Sequence, residues 1–221
     1  MMRKLYVPSL LALLITFLVI VPVFASPPTT SMHPDTAQKM LIDGNNRFMQ
    51  EKDTNRQIGK AKRTELTNGQ HPFAVVVSCS DSRVPPELIF DQGLGDIFVV
   101  RVAGNILDAI GLGSVEYAVE HLGVKLIVVL GHENCGAVKA TVDGGDISPN
   151  IQAIAAKIQP AVIQAEAGKP ANIYEAATDV NITNVVAILK ADPVIASFAG
   201  VKIVGAKYHL DSGAVVFRES L

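Results

Sequence analysis

Two runs of consecutive apolar residues, mostly β-branched, limit most strongly how this chain can fold: Ala74-Val75-Val76-Val77 and Leu126-Ile127-Val128-Val129-Leu130. Neither alternates with polar residues. Each therefore reads as a strand buried on both faces, which is the mark of a parallel sheet covered by helices. Residues 97–102 and 201–209 supply two more strands of this kind. Residues 214–217, after the tight turn Asp211-Ser212-Gly213, return as a fifth, antiparallel edge strand. The expected architecture is one α/β domain, with four parallel strands and an antiparallel edge strand flanked by helices.

Helical signals fill the intervals between strands. Asp35 or Thr36 can cap a helix that runs to about residue 52, with Gly44 weakening its middle. Residues 53–70 are polar and read as irregular. Pro86 can open a short helix over 86–90. A longer helix is predicted over 111–123, stopped by Gly123. Another begins at 137 and ends at Gly144-Gly145. Ala- and Ile-rich residues 148–167 predict a helix kinked or broken at Pro160. Helices over 173–190 and 193–198 follow. No internal repeat or second domain is visible.

The amino terminus reads differently. Arg3 and Lys4 precede an apolar run over 10–23, and Val23-Phe24-Ala25 closes it with small residues at the outer and inner positions. This pattern predicts a signal peptide over 1–25, then a Pro/Ser/Thr-rich tether over 26–34, which leaves a single folded domain over 35–221. An uncleaved anchor is the alternative; the shortness of the run and Pro22 favour cleavage. Export would end in a periplasm, an organelle lumen or the medium, with no membrane attachment once the leader is gone. The leader holds two of the 19 basic residues and none of the 21 acids, so the remainder carries 17 bases against 21 acids. With no basic patch, nucleic acid is not an expected partner.

The chemistry-bearing residues follow two of the strands. Cys79-Ser80-Asp81-Ser82-Arg83 comes directly after the first run, and Gly131-His132-Glu133-Asn134-Cys135-Gly136 after the second. Both would lie at the carboxyl ends of strands, where open α/β sheets place their sites. An exported chain with two cysteines invites a disulfide. A bridge, however, requires none of the neighbours Asp81, Arg83 and His132. Two thiols and one imidazole instead suit a zinc ion with an open fourth position, the pattern of catalytic rather than structural sites. His33, His121 and His209 read as surface or structural residues. Arg101 and Asn105, near a strand end, are candidates to support the site or only to satisfy backbone groups. Gly111-x-Gly113 lacks a third glycine and follows no strand directly, so a dinucleotide site is discounted. Asn181-Ile182-Thr183 is a glycosylation sequon.

Cys-x-Asp-x-Arg after one strand and His-x-x-Cys after a later one resemble the β-class carbonic anhydrases. The resemblance begins at Leu41-Ile42-Asp43-Gly44-Asn45-Asn46-Arg47-Phe48. It continues through Cys79 to Val84, Phe98-Val99-Val100-Arg101 and Glu116-Tyr117-Ala118, and ends at Gly131-His132 and Cys135-Gly136-Ala137. It implies one Zn2+ per subunit, held by Cys79, His132 and Cys135. It also implies reversible hydration of carbon dioxide to bicarbonate and a proton by zinc-bound hydroxide. Asp81 and Arg83 would form a carboxylate–guanidinium pair beside the metal: paired, Asp81 orients the reacting water; released, it becomes a fourth ligand. Gln70, Phe98 and Tyr117 would line the substrate cleft from a neighbouring subunit, making a homodimer or larger homo-oligomer the working unit. Gly136 would offer a backbone N–H. Gln70, together with the lack of any tryptophan, is similar to the plant-like subgroup with the open site. Ala103 departs from the valine common there and would widen the apolar wall. His71 is a candidate proton shuttle. Relatives that hydrolyse carbonyl sulfide or carbon disulfide share the metal shell, and a non-catalytic zinc-binding protein is the alternative from another class.

Overall fold

The structure is a computed structural model that describes residues 32–52, 57–146 and 148–218. The expected signal peptide and most of the tether lie outside the described residues. Five strands form one sheet in the order β2-β1-β3-β4-β5. They are β1 (Ala74–Ser78), β2 (Ile97–Arg101), β3 (Leu126–His132), β4 (Lys202–Tyr208) and β5 (Val215–Arg218). The first four are parallel and β5 runs antiparallel to β4, as the apolar runs predicted.

Every residue of β1 and β3 is buried, and the period-two geometry of a strand divides them between two cores. Val75, Val77, Ile127 and Val129 join one cluster with Val115 and Val119 of α4 (Ala109–Glu120) and Val185, Val186 and Leu189 of α7 (Ile173–Ala191). Ala74, Val76, Leu126, Val128 and Leu130 join a second cluster with Ala37 and Leu41 of α1 (Pro34–Met49) and Ile89 of α3 (Pro86–Ile89). The runs do not alternate because both faces of the sheet are dry.

The helix over 35–52 is shifted. It starts at Pro34, whose fixed φ suits a first helical position, and His33 caps it by accepting the Asp35 amide. Gly44, read as a weak point, marks a close approach instead. A Cβ there would lie 1.8 Å from the Phe90 carbonyl oxygen, so only glycine lets α1 lie against the end of α3. Asn45, beside it, donates to the carbonyls of Ile89 and Gly213 and accepts the Val215 amide, tying α1 to the β4–β5 turn.

The segment read as irregular contains α2 (Lys60–Glu65), which continues into a 3-10 turn, Leu66–Asn68. Its lack of buried residues is why no apolar period announced it. The helix α6 (Pro149–Ala167) runs through Pro160, so of the kink or break expected there the break does not occur. Both Pro160 and Ala156, whose carbonyl loses its partner, are exposed, so water can take the freed group. The remaining helices, α5 (Gly136–Asp143) and α8 (Pro193–Ala196), fall near their expected places. Among the described residues no helix is long and apolar enough to cross a membrane.

The strand order fixes where a site can form. From β1 the chain moves outward to β2; from β3 it moves the other way to β4. The crevice between the carboxyl ends of β1 and β3 is therefore the switch point of the sheet, where such folds bind ligands. Cys79 follows β1, His132 ends β3, and Cys135 stands at the N-cap of α5 three residues later.

Candidate metal centre

Cys79, His132 and Cys135 meet in that crevice. All three are buried, and their ligand atoms lie within 4.8 Å of one another. Both cysteines are free thiols, so the disulfide reading does not hold. Ile158 and Val162 of α6 and Ala177 of α7 close the apolar shell around the sulfurs.

The imidazole is prepared for a metal. His132 Nδ1 stands 2.8 Å from the Glu133 carbonyl oxygen, which can only accept, so Nδ1 carries the proton. Nε2 is left with its lone pair, buried and without a hydrogen-bond partner among the described residues. A buried acceptor left unpaired costs about 1–3 kcal/mol, and a bound cation removes that cost. The thiols form a coupled pair. The hydrogen bond from Cys135 pushes Cys79 down to about 4, against burial and with help from His132 and the Gly104 and Asp81 amides. The same bond, with burial, pushes Cys135 up. A coordinated cation would ionise both. Two thiolates and one imidazole fit zinc well, and three donors leave a fourth position free.

Beside them, Asp81 is gripped by Arg83. The Arg83 Nε and backbone N–H both donate to Asp81 Oδ1 at 2.9 Å, and Nη2 donates to Oδ2 at 2.7 Å. These bonds to the Arg83 side chain hold the Asp81 carboxyl down at about 2. Asp81 Oδ2 lies 3.9 Å from His132 Nε2, outside hydrogen-bond range but next to the ligand cluster. Arg83 also reaches the Asn134 carbonyl at 3.3 Å, linking the first motif to the second.

Arg101, at the end of β2, donates through Nε to the Cys79 carbonyl at 2.9 Å and through Nη2 to the Asp81 carbonyl at 2.6 Å. It thus fixes the path of the loop that carries both residues. Asn105, the other supporting candidate, is 2% exposed in the turn after β2. Gly136 is the first residue of α5 and lines an apolar pocket of about 290 Å³ with Ala103, Ala137, Ala140, Thr141 and Ile154 among its walls.

Phe98 and Tyr117 pack against each other with ring centroids 6.3 Å apart, on β2 and α4. Gln70 and His71 are exposed in the segment before β1. Among the described residues, no hydrogen bond, ion pair or ring contact joins Gln70, His71, Phe98 or Tyr117 to the three metal donors. His33 caps α1, His121 lies against Tyr117, and His209 pairs with Glu133 at 2.6 Å, so each has a structural contact.

The carboxyl-terminal third contributes more than the motifs indicated. Glu175 of α7 accepts the Asn134 amide at 3.1 Å and pairs with Lys207 of β4. Lys207 is 6% exposed and also pairs with Asp179 at 2.8 Å. Asn181, read only as a sequon, is buried and donates to the Gly104 carbonyl at 2.8 Å. The one sequence signal for these roles was a set of polar residues inside an otherwise apolar helical period.

A carbonic anhydrase family profile matches residues 74–215. The carbonic anhydrase of Mycolicibacterium smegmatis is 42% identical over 196 residues, covering 86% of this chain and 95% of that one. Carbonic anhydrase 2 of Mycobacterium tuberculosis is 38% identical over the same shares of the two chains. Among solved structures, a tetrameric β-carbonic anhydrase of the ascomycete Sordaria macrospora superposes with a TM-score of 0.66 at 26% identity, covering 72% of this chain and 86% of that chain. With the matched segment spanning the sheet from β1 to β5 and both motifs that meet at its switch point, the chain belongs to the β-carbonic anhydrase family.

Proposed function

We propose that this chain is a zinc enzyme that interconverts carbon dioxide and bicarbonate. The observation that carries the reading is the Asp81–Arg83 pair beside three buried donors. A closed structural site needs a fourth ligand and no such pair. Here the carboxylate nearest the ligand cluster has both oxygens taken by a guanidinium, which keeps it ionised and away from the fourth position.

The residues divide the work. Cys79, His132 and Cys135 hold the ion, one per subunit. Zinc in such a shell would lower the pKa of water to roughly 7 and so supply a nucleophile at neutral pH. Ionised Asp81 would accept a hydrogen bond from water at the fourth position and so orient it toward the substrate. Arg83 holds Asp81 in that pose. Arg101 keeps the loop between them from drifting. The apolar pocket beside Gly136 and Ala103 suits a small uncharged gas, and the Gly136 N–H is a donor for a bicarbonate oxygen.

Gln70, Phe98 and Tyr117 complete the cleft of a neighbouring subunit in a homodimer or larger assembly. In support, β2, which carries Phe98, is an edge strand of the sheet, and Tyr117 is 47% exposed in the single chain. Gln70 and the absence of tryptophan support a reading of the chain as plant-like, with an open fourth position. His71 passes protons to buffer. Residues 1–25 direct export and are then removed, so the working protein begins near residue 26.

The test uses the protein without its leader, in a metal analysis paired with stopped-flow hydration near pH 8. One zinc per chain with rapid hydration is expected, and Cys79→Ser should lose both together. Stoichiometric zinc without hydration would overturn the reading and leave a zinc-binding protein. Hydrolysis of carbonyl sulfide in place of hydration would reassign the substrate.

A further inference from the structure

Asn181 is 2% exposed on α7, far in sequence from either motif. Its Nδ2 donates to the Gly104 carbonyl at 2.8 Å, in a buried bond. The Gly104 amide in turn donates to Cys79 Sγ at 3.2 Å, also buried. One residue is thus held at both ends, by α7 at its carbonyl and by a metal donor at its amide. Gly104 stands at φ 71°, ψ 21°, a left-handed conformation that glycine adopts without cost. A Cβ there would come 2.6 Å from Ile158 Cδ1 and 3.2 Å from Ala137 Cβ, so the turn is clamped between α6 and α5.

We propose that Asn181 is a positioning residue for the metal centre: by anchoring the Gly104 carbonyl it holds the Gly104 N–H on the Cys79 sulfur. An N–H···S bond draws electron density from a thiolate, which weakens its donation to the metal and leaves the ion a stronger Lewis acid. Removing hydrogen bonds of this kind behind a ligand typically changes metal affinity or activity by about 10- to 100-fold. Glycine is the residue whose peptide turns most freely, so this turn needs an external anchor to keep its amide aimed. A buried carbonyl also requires a donor, and without Asn181 it would rotate to find one, carrying the amide off the sulfur. The position of Asn181 between Val180 and Ile182, on an apolar helix face, is otherwise unexplained.

The inference rests on the reading of Cys79, His132 and Cys135 as metal ligands, and the experiment separates the two. Cobalt(II) is loaded into the wild type, Asn181→Leu, Asn181→Asp and Thr178→Val. Thr178 is equally buried on the same helix but bonds only the Tyr174 carbonyl in its own preceding turn. Loss of the N–H···S bond raises the sulfur electron energy. The thiolate-to-cobalt charge-transfer band should therefore move to longer wavelength in both Asn181 variants and stay in place in Thr178→Val. The cobalt Kd should rise about 10-fold or more in the Asn181 variants, because the Cys79 sulfur is no longer held in place for the ion and this loss of orientation outweighs the stronger donation of one sulfur. An unmoved band and unchanged Kd in a folded Asn181 variant would overturn the inference alone. A wild type that takes up no cobalt would overturn the metal reading and the inference with it. If neither Asn181 variant folds, cadmium-113-loaded wild type decides by nuclear magnetic resonance. Scalar couplings are expected from the Gly104 amide proton to cadmium and from the Asn181 side-chain nitrogen to the Gly104 carbonyl carbon. Absence of either coupling would overturn the relay.

Discussion

Replacing Arg83 by methionine keeps the side chain's bulk and removes its charge, and it tests what holds the fourth metal position open. The substitution deletes two of the three hydrogen bonds that Asp81 accepts from residue 83, leaving the backbone N–H. The Asp81 carboxyl sits at about 2 against an ordinary 3.8. That difference would be worth about 2 kcal/mol at most, at about 1.4 kcal/mol per pH unit. Half of the Arg83 side chain faces solvent, at 51% exposure, and screening reduces the pair to on the order of 1 kcal/mol. Thermal unfolding should therefore move down by about 2–4 °C. Because the folded carboxyl lies below its unfolded value, its contribution is present above about pH 4 and is lost as pH falls through 2. The stability gap between wild type and Arg83→Met should be constant from pH 5 to 8 and should close between pH 4 and 2. Activity should fall much further than stability. Freed Asp81, already 3.9 Å from His132 Nε2, can swing into the vacant position as a fourth ligand. Zinc content should stay at one per chain while carbon dioxide hydration drops about 10- to 100-fold or more, the range for groups that orient metal ligands. Full hydration by zinc-loaded Arg83→Met would refute the assignment of Arg83 as the group that keeps Asp81 off the metal.

Two further outcomes follow from the packing. Gly44→Ala should destabilise the protein by about 2 kcal/mol or more in urea unfolding, because the clash of its Cβ with the Phe90 backbone outweighs the ~1 kcal/mol gain in helix propensity; an unchanged or raised midpoint would contradict the close approach. Metal-loaded protein recovered from a glycosylating host should carry no glycan at Asn181, since that nitrogen is buried against the Gly104 carbonyl; intact mass with a glycan on this residue would show that α7 does not pack as described.

The sheet was legible because burial on both faces leaves a plain mark: an unbroken apolar run can serve only a strand with helices above and below. The ligands were legible because each motif is local, with Cys79 one residue past β1 and His132 at the end of β3. Gly44 misled for a reason that applies generally. In sequence, a glycine within a helix counts only as lost propensity, whereas the contact that requires it lies 46 residues away at Phe90. α2 was invisible because a helix with no buried side chain has no apolar period. Pro160 kept its helix because the freed carbonyl faces water, and exposure is not a property of a single residue.

The sequence by itself determined the class of fold, the candidate metal donors and the carboxylate–guanidinium pair, because each apolar run and each motif is local in the chain. Tertiary structure decided the rest. The order β2-β1-β3-β4 puts Cys79 and His132 side by side at the switch point, and a strand order is a choice among pairings that the runs alone do not make. The same crevice holds the two thiols, unbridged, with the His132 imidazole, their ligand atoms within 4.8 Å of one another. Tertiary structure also turned a surface-looking sequon into a buried anchor for the turn behind Cys79. In each case the physical reason is the same: a polar group's role depends on what lies across the space it faces, and that neighbour comes from a distant part of the chain.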